Sequence, residues 1–180
     1  MKNLMKIQGL ILLLFVSAGM AKAQKYDLDV PYVPTRPAVV QAMLEMAEVK
    51  PGDVLYDLGC GDGRIVVAAA KDFGATGKGF DIDPQRIAEA NANAQKAGVQ
   101  DQVSFTETNL FSVDLSEASV ITLYLLPDVN MQLRSKILAL KPGTRIVSHA
   151  FDMGDWKPDA TRSVEGATIY FWTVPKNELN

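Results

Sequence analysis

The chain of 180 residues contains one cysteine and one histidine. A lone thiol, Cys60, excludes an intramolecular disulfide, and a thiol kept in an oxidising compartment is safest buried. No dense Lys/Arg run occurs, and Asp and Glu outnumber Lys and Arg by 21 to 18. A nucleic-acid partner is therefore disfavoured, because phosphate-binding surfaces concentrate positive charge. Repeats, low-complexity tracts and linkers are also missing, so a single folded domain is expected over residues 24–180. Hydrophobic residues at 48% and charged residues at 22% are ordinary globular proportions. The length allows one sizeable core.

Only one long apolar run is present, and it lies at the start, in "MKNLMKIQGLILLLFVSAGMAKAQ". Its 14 residues, 7–20, fall short of the ~20 that span a bilayer as a helix. Lys2 and Lys6 precede the run and Ala21-Lys22-Ala23 follows it. That order reads as a secretory signal over residues 1–23, cleaved before Gln24. The domain is then exported, to a periplasm or the cell exterior, and loses Lys2, Lys6 and Lys22, which takes its net charge from −3 to −6. The alternative is a retained membrane anchor over residues 7–20.

Beyond the leader, "YDLDVPYVPTRP" is extended and proline-punctuated, with Thr35 as an expected N-cap and Pro37 in the first helical turn. Strands and helices then alternate. The strands read as "DVLYDL", "GKGFDID", "QVSFTET", "ASVITLYLL", "TRIVSHAF" and "ATIYFWTV". The helices read as "AVVQAMLEMA", "RIVVAAAKDF" up to Gly74, "PQRIAEANANAQKAG", and "PDVNMQLRSKILALKPG" with an apolar stripe of Val129, Leu133, Ile137 and Leu140. Alternation predicts an α/β fold: a mostly parallel sheet with helices on both faces. The last strand follows "RSVEG" with no helix in between, so an antiparallel strand is expected near the sheet edge.

The turn after the first strand reads Asp57-Leu58-Gly59-Cys60-Gly61-Asp62-Gly63-Arg64. Ligands of open parallel sheets sit beyond the carboxyl ends of the strands, and glycines let the backbone approach them. Gly59 and Gly61 match the start of the G-x-G-x-x-G dinucleotide fingerprint, but its third position holds Arg64. Asp81 closes the second strand 20 residues after Gly61, where an acid can accept ribose hydroxyls.

"VLYDLGCGDGRIVVAAA" followed by "GFDID" resembles the first two motifs of class I S-adenosylmethionine-dependent methyltransferases. "PYVPT", "GDGRIV" and "FDMGDWKPD" resemble, more narrowly, the ATP synthase c-subunit and ADP/ATP carrier lysine methyltransferase family and its bacterial relatives. The resemblance implies a Rossmann-like, seven-stranded sheet and S-adenosylmethionine as cofactor. It implies that Gly59, Gly61 and Gly63 lie against the cofactor's methionine part and that Asp57 supports its ammonium. Asp81 would take the ribose hydroxyls, Ile82 would pack on the adenine, and Asn109 would meet the adenine amino group. Tyr124 would line the transfer site, with His149 as a base, and Tyr32 and Trp156 would touch the substrate. No metal is expected. The implied partner is a methyl acceptor, a lysine of a membrane-associated protein, met near a membrane through the N-terminal segment.

The charges agree in sign. The cofactor carries a sulfonium and an ammonium, and Asp57, Asp62, Asp81 and Asp83 cluster where a pyrophosphate would be repelled. Asp83, directly before Pro84, also reads as a helix cap, and Arg64 as a tie between the turn and a carboxylate. Two other readings compete with a protein-lysine methyltransferase. One is a small-molecule methyltransferase, and the other is an exported, non-catalytic binding protein on the same fold.

Overall fold

The computed structural model describes residues 30–176; the expected leader or anchor lies outside them. In chain order the elements are α1 (Pro37–Met46), β1 (Val54–Leu58), α2 (Arg64–Phe73), β2 (Thr76–Asp81), α3 (Pro84–Ala97) and β3 (Val103–Glu107). A short 3-10 turn over Leu110–Ser112 leads to β4 (Val120–Leu123), α4 (Pro127–Leu138), β5 (Arg145–His149), β6 (Ala160–Val164) and β7 (Ala167–Thr173).

Proline opens α1, α3 and α4, where its fixed φ suits the first turn and its missing N–H leaves no gap in the ladder. Helices α2 and α3 stop at Gly74 and Gly98, both left-handed. Asp83 caps α3 as expected, accepting the Gln85 N–H at 2.8 Å. Thr35 does not cap α1. Arg36 holds that position with no side-chain cap, and the Thr35 hydroxyl turns away toward His149.

The seven strands run in the order β3-β2-β1-β4-β5-β7-β6. β1 to β5 pair in parallel, and β7 is antiparallel to both β5 and β6. The expected antiparallel strand is therefore present, one place in from the edge. The edge itself is β6, which the sequence reading passed over as a connection. From β1 the chain moves outward to β2 and β3, then returns to start β4 on the other side of β1. That reversal leaves a crevice beyond the carboxyl ends of β1 and β4, where ligands of such sheets bind.

Side chains alternate between two cores. Leu58, Ile121, Leu123, Ile146 and Trp172 face the α4 side, against Val129, Leu133 and Ile137. Leu55, Val120, Val147 and Ile169 face α1 and α2, against Val39, Met43 and Val66. At the amino end of the sheet Asp53 accepts hydrogen bonds from the Ser119 hydroxyl at 2.8 Å and the Lys50 N–H at 3.0 Å, and it pairs with Arg145. It ties together the starts of β1, β4 and β5.

Close packing under the glycine turn sets a steric limit. A Cβ on Gly79, in β2, would lie 2.5 Å from Phe105 and 2.8 Å from Cys60 Sγ. Gly79→Ala is expected to lower stability by about 1–3 kcal/mol through overpacking. Urea unfolding monitored by circular dichroism would show it as a lower midpoint with an unchanged slope.

Candidate active site

The backbone fixes the glycine turn before any side chain does. The N–H groups of Gly59 and Cys60 both donate to the Phe80 carbonyl, at 2.8 and 3.0 Å, which locks the turn to the end of β2. Gly59, Gly61 and Gly63 all have positive φ. A Cβ on Gly61 would come within 2.5 Å of the Tyr32 ring, and one on Gly59 within 2.7 Å of Leu125. Gly63 does something different: its Cβ would strike Phe105 and Ala90, so it allows the turn to pack on β3 and α3. It does not line the cavity that the other two border.

That cavity lies in the crevice. Asp57, Gly59, Gly61, Asp81, Ile82, Asn109, Tyr124 and Tyr32 all line it. β1 supplies Asp57, β2 supplies Asp81, the loop after β3 supplies Asn109, and Tyr124 is the first residue beyond β4. Both Asp81 oxygens are oriented by backbone donors, Oδ2 by the Gly61 N–H at 2.8 Å and Oδ1 by the Asp83 N–H at 3.0 Å. Asn109 Oδ1 accepts the Phe111 N–H at 2.9 Å, and its second lone pair is left for a ligand.

Asp57 is the electrostatic centre. It is buried, and its Oδ1 accepts the Thr122 hydroxyl at 2.6 Å. Burial pushes its carboxyl up to about 7, and the nearby Asp81 and Asp62 push the same way against the Thr122 hydrogen bond. Asp62 is held below its ordinary range, because hydrogen bonds and charge from Arg64 outweigh its burial. Cys60, buried in the turn, has its thiol raised by burial and by Asp57 and Asp81, so it stays protonated and unreactive.

A strap closes the top. Residues 30–35 line the cavity, and Tyr32 lies on Gly61 with the Arg86 guanidinium 4.4 Å from its ring centroid. Arg64 clamps this strap to the turn: its Nε and Nη2 donate to Asp62 at 2.8 and 2.6 Å, and its Nη1 donates to the Thr35 carbonyl at 2.9 Å. Arg64 was expected to tie the turn to a carboxylate; its hold on the strap has no local signature. The sequence marks Arg86 only as part of a polar helix, and Leu125 only as part of the fourth strand. Leu125 could have been found from its place after β4, but Arg86 sits on a polar helix like many exposed arginines.

A second cavity adjoins the first and shares Val33, Pro34 and Tyr124 with it. His149, at the end of β5, lines this second space. Its ring faces that of Tyr124, with centroids 3.8 Å apart and planes 33° apart, and its Nδ1 lies 3.2 Å from Thr35 Oγ1. Trp156 lines neither cavity. It packs on Trp172, with centroids 5.9 Å apart, and its carbonyl accepts the Trp172 indole N–H at 2.8 Å, so it plugs the loop after β5.

The site therefore offers a concentration of negative charge, a glycine-lined wall and an oriented acid at the second strand. These features suit a ligand carrying both positive charge and ribose hydroxyls, which fits S-adenosylmethionine. Comparison with known proteins points the same way. Residues 57–160 match the ANTKMT methyltransferase domain. A protein-lysine N-methyltransferase of Saccharolobus islandicus (strain REY15A) is 46% identical over 159 residues, covering 85% of this chain and 99% of that protein. The adenine nucleotide translocase lysine N-methyltransferase of Mus musculus is 34% identical over 134 residues, and the match spans 58% of its length. A crystal structure from Salinibacter ruber, named as an RNA methyltransferase in complex with S-adenosyl-L-homocysteine, is 55% identical with a TM-score of 0.79, over 81% of this chain and 95% of that one. The chain belongs to the ANTKMT methyltransferase-domain family and is an S-adenosylmethionine-dependent methyltransferase.

Proposed function

We propose that the methyl acceptor is the side-chain amine of a lysine in a protein. The observation that carries this is the 46% identity to a protein-lysine N-methyltransferase along almost its whole length. The charges at the site support it. Arg36 pairs with Glu165, Arg64 with Asp62, and Arg86 with Asp83 and Glu89. RNA binding needs cations free to replace counterions on phosphate, and the arginines around these cavities are already neutralised.

Asp57 would hold the cofactor's ammonium, Asp81 its ribose, and Ile82 with Asn109 its adenine. When bound, S-adenosylmethionine supplies an electrophilic methyl group on a sulfonium. The residues of this chain then have two tasks, alignment and exclusion of water. A lysine amine has an ordinary pKa of about 10.4 and must be neutral to react. The apolar partition of Val33, Pro34 and Tyr124 desolvates a chain entering the second cavity and favours the neutral form.

The acceptor protein is membrane-associated in this reading. Tyr32, Val33 and Ile82 are exposed and line the first cavity, an apolar rim suited to an apolar partner. Export, or an anchor over residues 7–20, would bring the domain to that partner. The test is to incubate the full chain with isotopically labelled S-adenosylmethionine and separate membrane-protein, soluble-protein and RNA fractions. Label is expected in membrane protein and, after acid hydrolysis, in methyllysine. Label that ribonuclease releases, or label only in small molecules, would sink the lysine reading.

A further inference from the structure

The sequence contains a single histidine, and the fold delivers it to the second cavity, against the Tyr124 ring that both cavities share. His149 reaches that point from β5, Tyr124 from β4, and Thr35 from the strap 114 positions earlier in the chain. Thr35 is itself buried. Its carbonyl is held by Arg64 from the glycine turn, and its hydroxyl meets the imidazole. One residue therefore joins the cofactor wall to the histidine.

We propose that Thr35 is a positioning residue for methyl transfer: it accepts the Nδ1–H of His149 and so holds the ring against Tyr124 with the Nε2 lone pair toward the second cavity. There Nε2 accepts an N–H of the incoming neutral amine and fixes the direction of the amine's own lone pair. The proposal rests on the amine acceptor argued above.

Orientation rather than proton removal follows from magnitudes. Burial and the nearby Arg36 hold His149 below its ordinary value, so it is neutral at pH 7. Taking a proton from an ammonium of pKa about 10.4 would be uphill by roughly four powers of ten. Accepting a hydrogen bond costs no such step. The charged group acting on His149 is Arg36, which also pairs with the exposed Glu165, and the Tyr124 ring stacks on it. The backbone supports the placement. Ala150, next to His149 and lining the same cavity, is held at φ 69, and its N–H is bound to the Thr168 carbonyl at 2.8 Å. A non-glycine residue in that conformation persists only where its surroundings impose it.

The test compares Thr35→Val and Thr35→Ser in the full chain. Thr35→Val is expected to lower kcat by about a hundredfold, the scale of a small misplacement of a reacting group. Thr35→Ser is expected to recover most of that loss. Calorimetric affinity for S-adenosylhomocysteine should fall far less than kcat in both, because the Thr35 carbonyl that Arg64 holds is kept. Nitrogen NMR of the sole histidine reads the tautomer directly, and wild type should carry the proton on Nδ1. In the pH profile of kcat/KM, activity should fall on the acid side as His149 protonates. A wild-type proton on Nε2, an unchanged kcat in Thr35→Val, or a parallel loss of cofactor affinity would each overturn the role. The tautomer and the affinity need no acceptor, so they stand apart from the lysine reading. If Thr35→Val does not fold, the wild-type tautomer still decides.

Discussion

Replacing Asp81 with alanine is expected to weaken calorimetric binding of S-adenosylhomocysteine by about a hundredfold or more. In the folded protein both of its oxygens are already aimed by backbone donors, the N–H groups of Gly61 and Asp83. A ribose meeting it would therefore donate to an acceptor that loses little freedom on binding. Hydrogen bonds to a charged group contribute about 1.5–3 kcal/mol each, and two hydroxyls bound together give the hundredfold figure with room to spare. The variant also releases the Gly61 N–H and loosens the glycine turn, so Asp81→Asn is the companion measurement. Asparagine keeps one acceptor for the turn and loses the charge. It should fall between wild type and alanine in both affinity and Tm, because its amide oxygen can accept only one of the two backbone N–H groups that Asp81 holds. Equal affinities for all three proteins would show that Asp81 does not hold the cofactor.

The second large effect concerns Asp57, and it runs in opposite directions for binding and stability. Its folded-state value of about 7 stands above the ordinary 3.8. The folded protein thus holds this proton more tightly than the unfolded chain. Between those two values stability falls as pH rises, and above about 7 the full cost of a buried, charged carboxylate is present. A gap of about three units corresponds to about 4 kcal/mol. Asp57→Asn keeps the hydrogen bond from Thr122 and removes the charge. It is expected to stabilise the ligand-free protein by up to about 4 kcal/mol at pH 8, a rise in Tm of about 10 °C, and by almost nothing at pH 4. Cofactor affinity should move the other way, by about 2–5 kcal/mol, because a buried cation loses its partner. Wild type should also release part of a proton on binding near pH 7, seen as a dependence of binding enthalpy on the buffer. The variant should show none. A Tm difference independent of pH would contradict this account of Asp57.

Most of the sheet was legible because its central strands are short apolar runs bounded by glycine and proline. β6 was not. Its residues Ala160 to Ser163 are all exposed, so no burial pattern marks them. They form a strand because the turn at Glu165 and Gly166, both at positive φ, folds them back on β7. The usual Asn-Gly or Asp-Gly signal for such a turn is absent. At the site, the cap expected of Thr35 comes from its residue type and place before a helix, whereas its partner is His149, 114 positions away. Gly63 and Trp156 have their expected roles from the family resemblance, and here they pack on Phe105 and Trp172, contacts that no local pattern marks.

The reversed β7 has one further consequence. Because it runs against β5, its first residues lie past the carboxyl end of the sheet, and Gly166, Ala167 and Thr168 form part of the second cavity but none of the first. The hairpin of β6 and β7 is built from adjacent stretches of chain and sits at the edge away from β1. Its turn can lengthen, shorten or change composition without moving Asp57, Gly59, Gly61 or Asp81. Evolution could therefore recut the acceptor side through one peripheral hairpin while the cofactor half stays constant, which is a simple route by which one compact domain serves different methyl acceptors.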